Sequence, residues 1–167
     1  MSLEETLGGL IVLLEQEADF YEDLLSLSKE EQKAVVEGNV DELNKKVKEK
    51  ERLILEINRL EKTRLPLFET LSSHFKVSVG DLTLSKLSGL VPEKYSSQLK
   101  GLQEKITEKM SLLKAVNESN LNLIKGSLDY IDFSLNLLTS QPESGPVYKE
   151  DGKTKEGGRI KLTDKKV

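Results

Sequence analysis

Apolar residues recur every three or four positions along most of this chain, the spacing that one buried face of an α-helix demands. Leu3, Leu7, Leu10, Leu14, Ala18, Tyr21, Leu25 and Val35 form the first such stripe and predict a helix from Leu3 to about Glu37. Ser2, with Glu5 three residues on, is a capping-box pattern that starts it. Gly8 and Gly9 oppose it, each costing about 1 kcal/mol relative to Ala, so either the first turns fray or another helix passes close by. Gly38 is a natural left-handed stop. Asn39 with Glu42 restarts a helix at once. Its stripe is Leu43, Val47, Leu53, Ile54, Ile57, Leu60, Arg64, Leu67 and Leu71, and it runs to about His74. So short a connection forces the two helices back on each other as an antiparallel hairpin. Pro66 lies inside the second helix and predicts a kink near Lys62–Leu65.

Gly80, Gly89 and Pro92 break the pattern, and Leu82, Leu84, Leu87 and Leu90 suggest one short helix that caps the end of the hairpin. Pro92 suits the first turn of a third long helix. There Leu99, Leu102, Ile106, Met110, Leu113, Asn117, Asn120, Ile124, Leu128, Ile131, Leu135 and Leu138 follow one another without a gap. From Glu93 to Leu138 that helix would measure roughly 70 Å, against about 50 Å for each of the first two. Part of its apolar stripe is therefore expected to find no cover within the chain. Beyond Thr139, Pro142, Gly145, Pro146, Gly152, Gly157 and Gly158 stand among many charges and few apolar residues. Such a segment cannot bury enough surface to offset its ordering entropy. The predicted organisation is all-α: a helical domain over 1–139, built as an elongated coiled-coil-like bundle, and a disordered, mildly basic tail over 140–167.

Composition narrows the chemistry. Of 167 residues 30 are Leu, while there is no Cys, no Trp and a single His. That excludes a disulfide framework, a thiolate zinc site, a cysteine nucleophile and a multi-histidine metal centre. No cofactor or metal is implied. With 25 Lys+Arg against 29 Asp+Glu, the net charge of −4 argues against nucleic-acid binding through a dense cationic face. The longest apolar stretch, Gly8 to Leu14, is far short of the ~20 residues of a membrane span. The acidic start is unlike a secretory leader. A cytoplasmic protein without stable membrane insertion is expected.

An enzyme needs converging polar groups, and none emerge. Position 71 is Leu, so His74 lacks the Glu-x-x-His spacing of a di-iron bundle and reads as a helix-terminal surface residue. Glu15 and Glu17, like Glu30 and Glu31, read as solvated helix faces. Three features carry two readings each. Asn117 and Asn120 interrupt the third stripe either to fix register or to bond an incoming helix. Arg64, on the core stripe of the second helix, either snorkels to solvent or donates to the Asn pair or to helix carbonyls. Tyr148, the lone aromatic of the tail, is either incidental or the anchor of a short linear motif.

Together these elements resemble the FlgN-type flagellar export chaperones. The resemblance rests on Leu43 after Gly38-Asn39, on Glu51-Arg52-Leu53, and on Leu60-Glu61 followed by Arg64. It continues through Leu82-Thr83-Leu84-Ser85-Lys86-Leu87. Its most specific part is Asn117-Glu118-Ser119-Asn120, followed by Leu123-Ile124, Leu128 and Tyr130, and the tail adds Tyr148 to Gly152. The resemblance implies a non-enzymatic cytoplasmic chaperone that holds hook-associated (hook–filament junction) proteins monomeric and delivers them to the flagellar type III export gate. On this reading Leu123, Ile124, Leu128, Ile131, Leu135 and Leu138 form the client-binding stripe, with Asn117 and Asn120 setting register. Burying six to eight such side chains would give on the order of 10 kcal/mol gross, less the cost of ordering the client. Tyr148 and Gly152 would dock on the export gate, and Arg64 would be structural. The competing reading is a self-associating coiled-coil scaffold, whose surplus stripe is buried in a homodimer. A chaperone would form at most a weak one.

Overall fold

The computed structural model describes residues 1–139, and the side chains of all of these but Tyr130, Ile131 and Thr139. Helix α1 spans Leu3–Glu37 and α2 spans Val40–Phe75. A single 3₁₀ turn, Val79–Asp81, leads to the short α3, Leu84–Leu90, and then to α4, Glu93–Thr139. There is no strand among the described residues. Two compact units are present: Met1–Leu121, and a second that begins at Asn122. The tail read from composition at 140–167 lies outside the described residues.

Local chemistry explains each boundary. The Ser2 hydroxyl accepts from the Glu5 amide at 3.2 Å, and the Ser2 amide donates to the Glu5 carboxylate at 2.7 Å. This reciprocal pair satisfies two amides that the first helical turn leaves unbonded. Gly38 ends α1 with φ +66°, and its N–H donates back into the last turn. Asn39 then accepts from the Glu42 amide at 3.1 Å and opens α2. Only these two residues separate α1 from α2. α2 carries Pro66 within it and runs on to Phe75. Pro92 stands just before α4 and not in its first turn, its carbonyl accepting from the amides of Tyr95 and Ser96.

In the first unit the three long helices lie side by side. α2 is antiparallel to α1, since Glu17 meets Arg64 and Glu31 meets Lys50. α4 is parallel to α1, since Asp19 meets Lys105 and Glu22 meets Lys109. Leu7, Leu10, Leu14 and Ala18 of α1 bury against Leu71 of α2, Leu87 of α3, and Leu99 and Ile106 of α4. This leucine core fills the end of the unit remote from the Gly38 reversal, and α3 caps it.

The glycine pair near the start of α1 does not fray the helix. A Cβ on Gly8 would meet nothing within 4 Å, and one on Gly9 would touch only Leu67 of α2 at an ordinary 3.7 Å. Gly8 therefore only weakens the helix, while Gly38 is required by its positive φ. Gly8→Ala should raise, and Gly38→Ala should lower, unfolding stability by about 1 kcal/mol each. Urea titration followed by circular dichroism reads both.

Candidate functional site

Toward the Gly38 end of the first unit, leucine gives way to a set of polar bonds that tie the three long helices together. Lys50 of α2 donates to the Glu31 carboxylate of α1 at 2.8 Å and to the Asn117 side chain of α4 at 3.1 Å. Gln32 of α1 donates to the Ser119 hydroxyl at 2.9 Å. The Asn120 amide donates to the Ser28 carbonyl at 2.9 Å and is 2% exposed. Its Oδ1 and the Ser28 hydroxyl are buried without a protein partner. A buried amide so placed penalises any slippage of α4 along α1, because sliding would strand more polar atoms.

Arg64 takes neither of its expected roles. Its guanidinium donates to the Glu17 carboxylate at 2.7 Å, across the hairpin, and sits 5.9 Å above the Phe68 ring. Glu17 and Glu31 are only 5% and 8% exposed, which corrects their reading as solvated faces. Opposing helices bring each of them a cation that spacing within one helix cannot reveal. Burial pushes the Glu17 carboxyl above its ordinary range, Arg64 opposes this, and Glu61 adds to it. Desolvation thus outweighs the attraction, as is common for buried pairs. Burial likewise raises the Tyr21 phenol, with Glu17 and Glu61 adding and Arg64 opposing. At the exposed edge, the bond from Lys109 holds the Glu22 carboxyl below its usual range.

The residues expected to bind a client divide between the units. Asn117 and Asn120 belong to the first and are spent on Lys50 and on Ser28. Leu123, Ile124, Leu128, Leu135 and Leu138 belong to the second, together with Ile131. There Leu128 is 57% exposed and Leu138 is 82% exposed, Leu123 and Leu135 are also exposed, and Ile124 is half-buried. The sequence reading missed Phe133 and Leu137, both exposed as well. At 3.6 residues per turn, Phe133 lies about 140° round the helix from Leu128, so the apolar surface is wider than one stripe. Their own i, i+4 spacing was the available signal. Tyr148 and Gly152 lie outside the described residues. His74 is exposed at the end of α2, edge-on to the Phe75 ring.

No group of three or more His, Cys, Asp or Glu among the described residues is placed to hold a metal ion. No helix among them is long and apolar enough to cross a membrane. What the arrangement offers chemically is exposed apolar surface on well-formed helices. Arg64→Met should cost about 2–3 kcal/mol by leaving Glu17 buried and unpaired, and Glu17→Gln in the same chain should recover most of that. Thermal unfolding of the two variants tests this double-mutant relation.

The model of the FlgN protein family matches residues 1–156. Among curated proteins, an uncharacterized protein of Bacillus subtilis (strain 168), YvyG, is similar to this chain. The two are 26% identical over 161 residues, which cover 95% of this chain and 98% of the relative. No solved structure matches. A family match over nearly the whole chain, on a fold of long helices with exposed apolar side chains, has one meaning: the protein belongs to the FlgN family of flagellar export chaperones.

Proposed function

We propose that this chaperone acts in the cytoplasm and binds the amphipathic terminal segment of hook–filament junction (hook-associated) proteins. Its contact surface is the far part of α4: Leu123, Ile124, Leu128, Ile131, Leu135 and Leu138. Asn117 and Asn120 fix the register of the helix that carries it. One observation supports this reading above the others: in residues 122–139 the described Leu and Phe side chains are exposed. Leu128, Phe133, Leu137 and Leu138 alone stand 57%, 59%, 64% and 82% exposed.

An apolar helix in water binds what can cover it. A client segment that is unfolded before assembly carries a complementary stripe and would self-associate if left exposed. Laid along α4 as an added helix, it hides both stripes at once. Covering those four side chains is worth about 1–1.5 kcal/mol each, after allowing for the part already shielded. Ordering the client offsets several kcal/mol of the total. The balance favours holding that is firm but reversible, as delivery to the export gate requires.

Leu128→Asp with Leu138→Asp should reduce affinity for a junction-protein terminus by about a hundredfold or more, with the helical signal retained. Titration calorimetry decides, and unchanged affinity places the client site elsewhere. Sedimentation of the pure protein should show a monomer or weak dimer that becomes a 1:1 complex with that terminus. A tight dimer indifferent to the client favours the scaffold reading instead.

Gate docking is assigned to Tyr148 and Gly152 on the resemblance of the Tyr148–Gly152 segment to the family. Tyr148→Ala should leave client affinity unchanged and weaken binding to the export-gate component about tenfold. Pull-down with the purified gate component measures this, and wild-type capture by the variant removes Tyr148 from the docking role.

A further inference from the structure

The first unit carries an apolar groove that the client stripe does not use. It measures about 710 Å³ and runs between α2 and the segment that leads from α2 to α3. Lys62, Leu65 and Phe68, each three residues from the last, line the α2 wall, and Val79, Leu82 and Leu84 line the other. Leu82 is buried, Phe68 and Leu84 are half-buried, and Leu65 and Val79 stand 54% and 40% exposed. The charges that line the groove all come from α2: Lys62 and Arg64 against Glu61. Arg64 donates to Glu17 through Nη1 and keeps its other N–H groups unspent, while Lys62 enters no ion pair among the described residues.

The Phe133 side of α4 has the matching chemistry. Asp129, Phe133 and Leu137 recur every four residues and so share a face, with Asp132 three residues from Asp129 beside them. Phe133 and Leu137 are 59% and 64% exposed. Asp129 and Asp132 are exposed as well, and neither enters an ion pair among the described residues. The lengths agree: Asp129 to Leu137 spans about 12 Å of helix, and the α2 wall from Asn58 to Phe68 about 15 Å. We propose that, before a client arrives, this acidic, apolar face of one copy lies in the α2 groove of a second copy. Phe133 and Leu137 cover Leu65, Phe68 and Val79, and the two aspartates turn toward Lys62 and Arg64. Charge selects this occupant, since residues 122–139 carry two Asp against Lys125 and meet two cations against Glu61. Two large apolar side chains and their surroundings fall short of the roughly 800 Å² per partner of a stable complex, so the association is weak. A client that covers Phe133 and Leu137 withdraws the helix from the groove; that last step rests on the client reading above.

Sedimentation of the full-length protein should show a weak, concentration-dependent dimer. Lys62→Glu and Asp132→Lys should each weaken it about tenfold by setting like charges together. Both side chains are exposed, so the helical signal should not change. Combined in one chain, the two reversals should restore most of the loss, which a folding defect would not do. Phe133→Ser should weaken the dimer about tenfold with no rescue by Lys62→Glu. A monomer even at about 1 mM, a dimer indifferent to Lys62→Glu, or no rescue in the doubly reversed chain overturns the proposal. A junction-protein terminus should dissolve the dimer. If the charge reversals rescue but the terminus leaves the dimer intact, the docking of the two copies stands and the client reading of this face fails.

Discussion

The two-residue reversal at Gly38–Asn39 is the constraint on which the first unit depends. A left-handed glycine and a capping asparagine leave no slack between two helices of 35 and 36 residues, so their register is fixed at the turn. Register then decides which charges meet. With the turn where it is, Arg64 arrives at Glu17, Lys46 at Glu30 and Lys50 at Glu31. A slip by one helical turn would leave two acids buried without cations, at a cost of several kcal/mol each. The reversal and the ion pairs therefore enforce the same alignment by independent means.

From that alignment the placement of α4 follows. Lys50 bonds Glu31 and Asn117 at once, and Asn120 finds the Ser28 carbonyl one turn further on. Buried polar contacts of this kind add little net stability, since desolvation consumes most of the attraction. What they add is uniqueness. Leucine seams alone permit sliding, and a chain with 30 Leu in 167 residues is exposed to that ambiguity. Within the first unit, α4 thus stands at a fixed height against α1 and α2.

Much of the fold was legible in the sequence, because helix ends are local chemistry. Ser2, Glu5, Gly38 and Asn39 act within four residues of themselves, so their roles could be read directly. The stripes likewise announced the helices and the leucines that bury. What could not be read was pairing between helices. Glu17 and Glu31 look like solvated acids until Arg64 and Lys50 arrive from another helix, and Lys50 in its lysine-rich stretch carries no mark of its task. The surplus apolar surface on α4 was foreseen from length alone. Phe133 and Leu137 were missed because a single dominant stripe draws attention from the opposite face of the same helix. Val47 and Ile54 of α2 sit on the predicted stripe yet stay exposed, because a stripe shows which residues share a face, and not whether anything lies against it.

The division of the first unit into a leucine-filled end and a polar-bonded end bears on how it opens. Around Leu7, Leu10 and Leu14 each turn is buried by side chains from several elements, so its amides can reach solvent only when the whole unit unfolds. Toward Gly38 fewer apolar side chains are buried, and polar bonds carry more of the packing. Backbone protons there will exchange first, through small separations of the helix ends that leave the leucine core intact. Cooling and added salt should act on opposite ends, the first loosening hydrophobic packing and the second screening the charged ties. Such a molecule yields from one end in steps, a natural property for a protein that must take hold of a chain and then let it go.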